Sequence, residues 1–127
     1  MSKFIKIIFF VILNFSLLFS FSTKASEKIK IGLMVPLTGS NKELGQSIIK
    51  AVRLAVKDIN NNSIEIIPKD TASKANKALK SAFELKQMGV KVVIGPVFYE
   101  STSYLDEIKD ITFLSLTNKT LDLPKNV

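Results

Sequence analysis

Ile29-Lys30-Ile31-Gly32-Leu33-Met34-Val35-Pro36-Leu37-Thr38-Gly39 is a short, nearly continuous apolar run that breaks into a turn-rich loop. Such a run suits a strand covered on both faces, and Pro36, Gly39, Ser40 and Asn41 suit the loop that leaves it. Beyond this loop the period changes. After Gly45, the residues Ile48, Ala51, Val52, Ala55, Val56 and Ile59 recur along one side of a helix, with Gln46, Lys50, Arg53 and Lys57 on the other. This amphipathic helix needs a sheet to cover. Asn60-Asn61-Asn62-Ser63 stops it, because short polar side chains compete for backbone hydrogen bonds and tolerate left-handed geometry.

Residues 64–67 predict a second strand, ended by Pro68. Residues 73–88 predict a second helix whose apolar side is Ala75, Ala78, Leu79, Ala82, Phe83 and Leu85, with Gly89 just beyond its end. Val90, Val92, Val93 and Ile94 predict a third strand that stops at Gly95-Pro96; a short helical or irregular piece over residues 102–108 leads to a fourth strand at residues 111–116. Long helical connections favour parallel pairing with right-handed crossovers, so the fold class is α/β, a parallel sheet flanked by helices. Four strands and two and a half helices are an incomplete version of that architecture, and the domain is expected to continue past Val127. A fragment, a truncated gene product and a chain that completes itself by association all fit this expectation.

The N-terminus is set aside from the fold. Lys3 and Lys6 precede an apolar stretch at residues 7–21, and Thr23-Lys24-Ala25 offers small residues at both specificity positions of a cleavage site. Residues 1–25 are therefore expected to be a cleavable signal peptide, with an uncleaved membrane anchor as the alternative, and residues 26–127 the mature domain. With no Cys in the chain, both lipid attachment after the signal and disulfides are closed, so stability rests on core packing. Removing residues 1–25 deletes three Lys and no acidic residue, leaving 15 basic against 11 acidic side chains. Lys74, Lys77 and Lys80 line one predicted helix face without interleaved aromatics, which reads as a solvated face and not a nucleic-acid site.

The absence of Cys and His removes the ligands of structural zinc and the usual nucleophile and base pairs. Gly39 and Gly45 lack the spacing of a dinucleotide fingerprint, no G-K-[ST] follows either, and neither Gly-x-Ser-x-Gly nor His-Glu-x-x-His occurs. No cofactor, metal or catalytic residue is expected, and the chain reads as a non-enzyme. In an open parallel sheet, ligands bind where loops leave the carboxyl ends of the strands. Here those loops carry Thr38 and Ser40; Tyr99, Ser101, Thr102 and Ser103; and Ser115, Thr117 and Thr120. Hydroxyls and exposed N–H groups there would cradle a carboxylate or another anion. Singly, each hydroxyl reads as a helix cap or a tied turn; their co-location at one sheet edge is what favours a binding site. Asp70 either caps the second helix or supports the rim, Phe98 and Tyr99 are either a ligand wall or packed aromatics, and Asn118 either orients a ligand amide or holds a turn.

Residues 30–39, Gly45-Gln46, residues 51–60 and Val92-Val93-Ile94-Gly95-Pro96 together resemble the type I periplasmic-binding-protein fold, especially the branched-chain amino-acid and amide receptors of ABC transporters. The resemblance covers residues 28–120 and implies two Rossmann-like lobes joined by a hinge, with this chain supplying part of the N-terminal lobe. Carried over by position, it implies a ligand site using Tyr99, Glu100 and Ser101 after the third strand and Ser115, Thr117 and Asn118 after the fourth, beside Thr38. The usual Ser-Pro-Ser-like segment is Ser115-Leu116-Thr117 here. Asp70-Thr71 and residues 113–118 also look like the related domain of penicillin-binding-protein activators, exported regulators of peptidoglycan synthases. The resemblance thus implies a periplasmic partner of one of two kinds: a small polar solute such as an amino acid, together with a membrane permease, or a cell-wall synthase.

Overall fold

The computed structural model describes residues 27–119 and 123–127, together with Lys3; the rest of the expected signal peptide, and Thr120, lie outside the described residues. β1 (Ile29–Val35), α1 (Lys42–Ile59), β2 (Ile64–Asp70), α2 (Ala75–Gln87), β3 (Val92–Ile94) and β4 (Thr112–Leu114) follow in that order, with 3₁₀ turns at Tyr99–Thr102 and Leu105–Glu107 between the last two strands. The sheet order is β2-β1-β3-β4 and every neighbouring pair is parallel. The α/β class expected from the periodicity is thus the observed one.

Local chemistry accounts for the punctuation. Asn60 ends α1 in the left-handed conformation with φ 50°. Gly89, with φ 79°, ends α2 in a Schellman arrangement: its N–H donates to the Lys86 carbonyl and that of Val90 to the Leu85 carbonyl. Pro68 does not end the second strand, which runs on to Asp70 in register with Val35. β2 is an edge strand, where a residue without an N–H is tolerated on the outward side. The continuation matters because it sets Asp70 beside the exit of β1.

The two faces of the sheet are covered unequally. Gly32, Val93 and Phe113 are in register across β1, β3 and β4. With Met34 they lie under Ala78, Ala82 and Leu85 of α2, and Leu105, Ile108 and Ile111 close the same core. The predicted apolar side of α2 is corrected at one position: Phe83 is exposed, and Ser81 is buried in its place, donating to the Asp70 carbonyl at 3.2 Å. On the other face, α1 covers β1 through the half-buried Ile48, Val52 and Val56. Gly45 sits so close to the exit of β1 that a Cβ there would collide with the Pro36 carbonyl. This cover runs out across the sheet. Leu33, Ile94 and Leu114 share one register row, and exposure rises from 1% at Leu33 to 53% at Leu114.

Candidate functional site

Because every strand is parallel, all four carboxyl ends open on one edge. At the β1 and β2 exits the organising group is the Asp70 carboxylate. Its Oδ1 accepts the N–H groups of Leu37 at 2.8 Å, Thr38 at 3.2 Å and Ala72 at 2.8 Å, and its Oδ2 accepts the Thr38 hydroxyl at 2.6 Å. Burial alone pushes this carboxyl up; the bonds from Thr38, Leu37 and Ala72 together outweigh it and hold the carboxyl below its ordinary value. Asn41 donates to the Ser73 hydroxyl at 3.1 Å and ties the same two loops again.

Three N–H groups of the expected anion cradle, those of Leu37, Thr38 and Ala72, are occupied by an internal carboxylate and do not face a ligand. Asp70 does not cap α2 either, whose N-cap residue is Lys74 without a side-chain cap; it supports the rim.

At the β3 and β4 exits, the Ser115 hydroxyl lies 3.4 Å from the Pro96 carbonyl and accepts the Thr117 N–H at 3.3 Å, while the Thr117 hydroxyl accepts the Lys119 N–H at 3.2 Å. The Leu116 N–H donates to the same Pro96 carbonyl at 2.9 Å. The two loops are also joined by charge, since the Lys119 ammonium lies 3.9 Å from Glu100 and 5.1 Å from the centre of the Tyr99 ring. Asn118 is exposed at the bend between them.

The structure therefore brings Tyr99, Glu100, Ser115, Thr117 and Asn118 to one end of the edge and places Thr38 at the exit of β1, between β2 and β3. Ser101 differs: it is fully buried, and among the described residues its hydroxyl has no hydrogen-bond partner. A cavity of about 820 Å³ is lined by Tyr99, Tyr104, Lys109 and Asn126, among others, but by neither Thr38, Ser115 nor Thr117. Two contributors escaped the sequence reading: Lys119, and Asp70 as the hub of the first corner. Lys119 stands next to Asn118 in the expected loop, which was the available signal. Apart from Ala72, the partners of Asp70 are 32 and 33 residues away, and no local pattern reports that.

An edge of hydroxyls, one buttressing carboxylate and an aromatic under a lysine can hold a ligand. Among the described residues no cluster of three acidic, Cys or His side chains could seat a metal ion. This is the build of a binding lobe. The chain belongs to the periplasmic binding protein family, whose profile matches residues 28–124. That is a class of substrate-binding, non-catalytic proteins. No curated protein sequence matches the chain.

Among solved structures, it is similar to a leucine-binding protein of Thermotoga maritima, at 18% identity and TM-score 0.66, covering 72% of this chain and 28% of that one. It is also similar to the branched-chain amino-acid transporter substrate-binding protein LivJ of Streptococcus pneumoniae, solved with isoleucine, at 26% identity and TM-score 0.65, covering 72% and 30%. A third is full-length LpoA of Haemophilus influenzae, at 26% identity and TM-score 0.61, covering 74% and 17%; the C-domain of that protein is a regulator of PBP1A. The chain thus spans less than a third of each, and its fold is that of part of the N-terminal lobe. The fold is typical of proteins that work outside the cytoplasm.

Proposed function

We propose that this chain is the opening part of a solute receptor serving an ABC transporter, with residues 26–127 forming one wall of a cleft that holds an amino acid or a small amide for delivery to a membrane permease. Residues 1–25 act in this reading as the cleaved export signal. The observation that carries the proposal is the convergence of the four strand exits on one edge, with Thr38 and Asp70 at one corner and Tyr99, Ser115, Thr117 and Lys119 at the other. A second lobe closing over such an edge removes the solute from water and pairs its polar groups. Calorimetric titration of the exported protein, joined to a second lobe, with leucine, valine and small amides should give micromolar dissociation constants. The isolated lobe should bind far more weakly, and tight binding by it alone would contradict the two-lobed reading. The mass of the exported product should correspond to a start at Ser26.

A second reading is an exported regulator that docks on a cell-wall synthase. It draws on the apolar side chains of Leu114 and Leu116, 53% and 45% exposed next to the same edge, and on the similarity to LpoA. A flat titration with every solute, together with retention of the protein on an immobilised peptidoglycan synthase, would favour it over the receptor.

A further inference from the structure

The polarity of the Thr38–Asp70 corner carries an inference about what part of a solute it accepts. An ionised carboxylate only accepts hydrogen bonds. At 2.6 Å from Asp70 Oδ2, the Thr38 hydroxyl must therefore be the donor, and its proton is committed inward. The N–H groups of Leu37, Thr38 and Ala72 are committed to Oδ1 of the same carboxylate. Lys69, the neighbouring cation on β2, is held by Glu84 at 2.6 Å. Thr38 is solvent-exposed, so the only hydrogen-bonding capacity it can offer outward is the lone pairs of its oxygen, backed by the Asp70 charge.

We propose that the Thr38 hydroxyl meets the hydrogen-bond-donating end of the solute, an ammonium or amide N–H group, and not its carboxylate, with Asp70 as the positioning residue that fixes the direction of that hydroxyl. The inference rests on the receptor reading and sharpens it.

Replacing Asp70 by Asn reverses the polarity without changing the shape. The amide oxygen can still accept the three N–H groups, while the NH₂ in place of Oδ2 donates to Thr38 and turns the hydroxyl proton outward. The probes are leucine and leucinamide with two analogues of leucine: isoamylamine, which lacks the carboxylate, and isocaproate, which lacks the amine. Calorimetric titration of the exported two-lobed protein should show isoamylamine binding at least tenfold tighter than isocaproate. Asp70→Asn should lower that ratio at least tenfold. Thr38→Val should also abolish the preference, and Thr38→Ser should keep it.

Equal affinities for the two analogues in the unaltered protein overturn the inference, as does an Asp70→Asn variant, folded by circular dichroism, whose ratio is unchanged. If leucine and isocaproate bind while isoamylamine does not, the receptor reading stands and this inference alone falls. If none of the four compounds binds, the receptor reading falls and takes the inference with it.

Discussion

Asp70 shows how one side chain couples two loops that are distant in sequence. Four groups donate to it, and truncating it leaves three N–H groups and a hydroxyl without their partner. Leaving buried donors unsatisfied costs about 1–3 kcal/mol. Part of this corner is exposed, so Asp70→Ala should lower the unfolding free energy by about 1–2 kcal/mol in urea titrations, and Asp70→Asn by less. The carboxyl also makes stability depend on pH. Its folded pKa is depressed, so its contribution is complete above the unfolded carboxylate value and is lost as pH falls through the folded one. The stability difference between the unaltered protein and Asp70→Asn should therefore be constant from neutral pH to about pH 5 and shrink below about pH 4. A difference that grows on acidification would refute this account. In the sequence, Asp70 stands two residues past the expected end of a strand at Pro68. Only the edge position of β2 allows the strand to continue and carry the carboxylate to the β1 exit.

The helices were legible because their periods are long and their ends are marked by Asn60 and Gly89. Which flank each would bury was less legible. Phe83 reads as apolar-side in α2, yet the stripe that meets the sheet is Ala78, Ala82 and Leu85, with Phe83 displaced toward solvent. The small alanines let the helix lie close, and Gly32 on β1 makes the space: a Cβ there would come within 2.8 Å of the Leu85 side chain. Leu85→Ala should cost about 2–5 kcal/mol, as buried leucines do. Phe83→Ala should cost less than about 1 kcal/mol, because 45% of its surface is already exposed. Comparable losses for the two substitutions would mean that α2 is rotated from the orientation described. In α1, Gly45→Ala should destabilise by about 1–3 kcal/mol, since the helix start cannot approach Pro36 with a methyl group between them. Thermal unfolding of the variant would register it as a lowered midpoint.

The parallel order β2-β1-β3-β4 accords with helical connections that are long enough to cross over, and right-handed crossovers leave few other arrangements. Connection length alone therefore places the loops on one edge. It carries no information about which hydroxyls are tied to neighbours, since Thr38, Ser115 and Thr117 find their partners through loop conformations that have no periodic signal. Nor does it distinguish the buried Ser101 from the exposed Glu100 beside it.

The same topology leaves the α1 face of β3 and β4 thinly covered, with Val92 and Leu114 at 37% and 53% exposure and Leu116, just beyond β4, at 45%. Replacing all three with Thr keeps strand propensity at Val92 and Leu114 and removes an apolar surface. The triple variant should be more soluble in ammonium sulfate precipitation, with its urea midpoint changed by no more than about 0.5 kcal/mol equivalent per site. A large loss of stability would show that these side chains lie inside a core.

A ligand held where the four strands end should move the amide chemical shifts of the exported protein during titration with leucine. The changes should concentrate at residues 36–40, 70–73, 96–101 and 115–119, the loops at the carboxyl ends of the strands. Changes confined to the opposite edge, at residues 27–31 and 89–92, would contradict that placement.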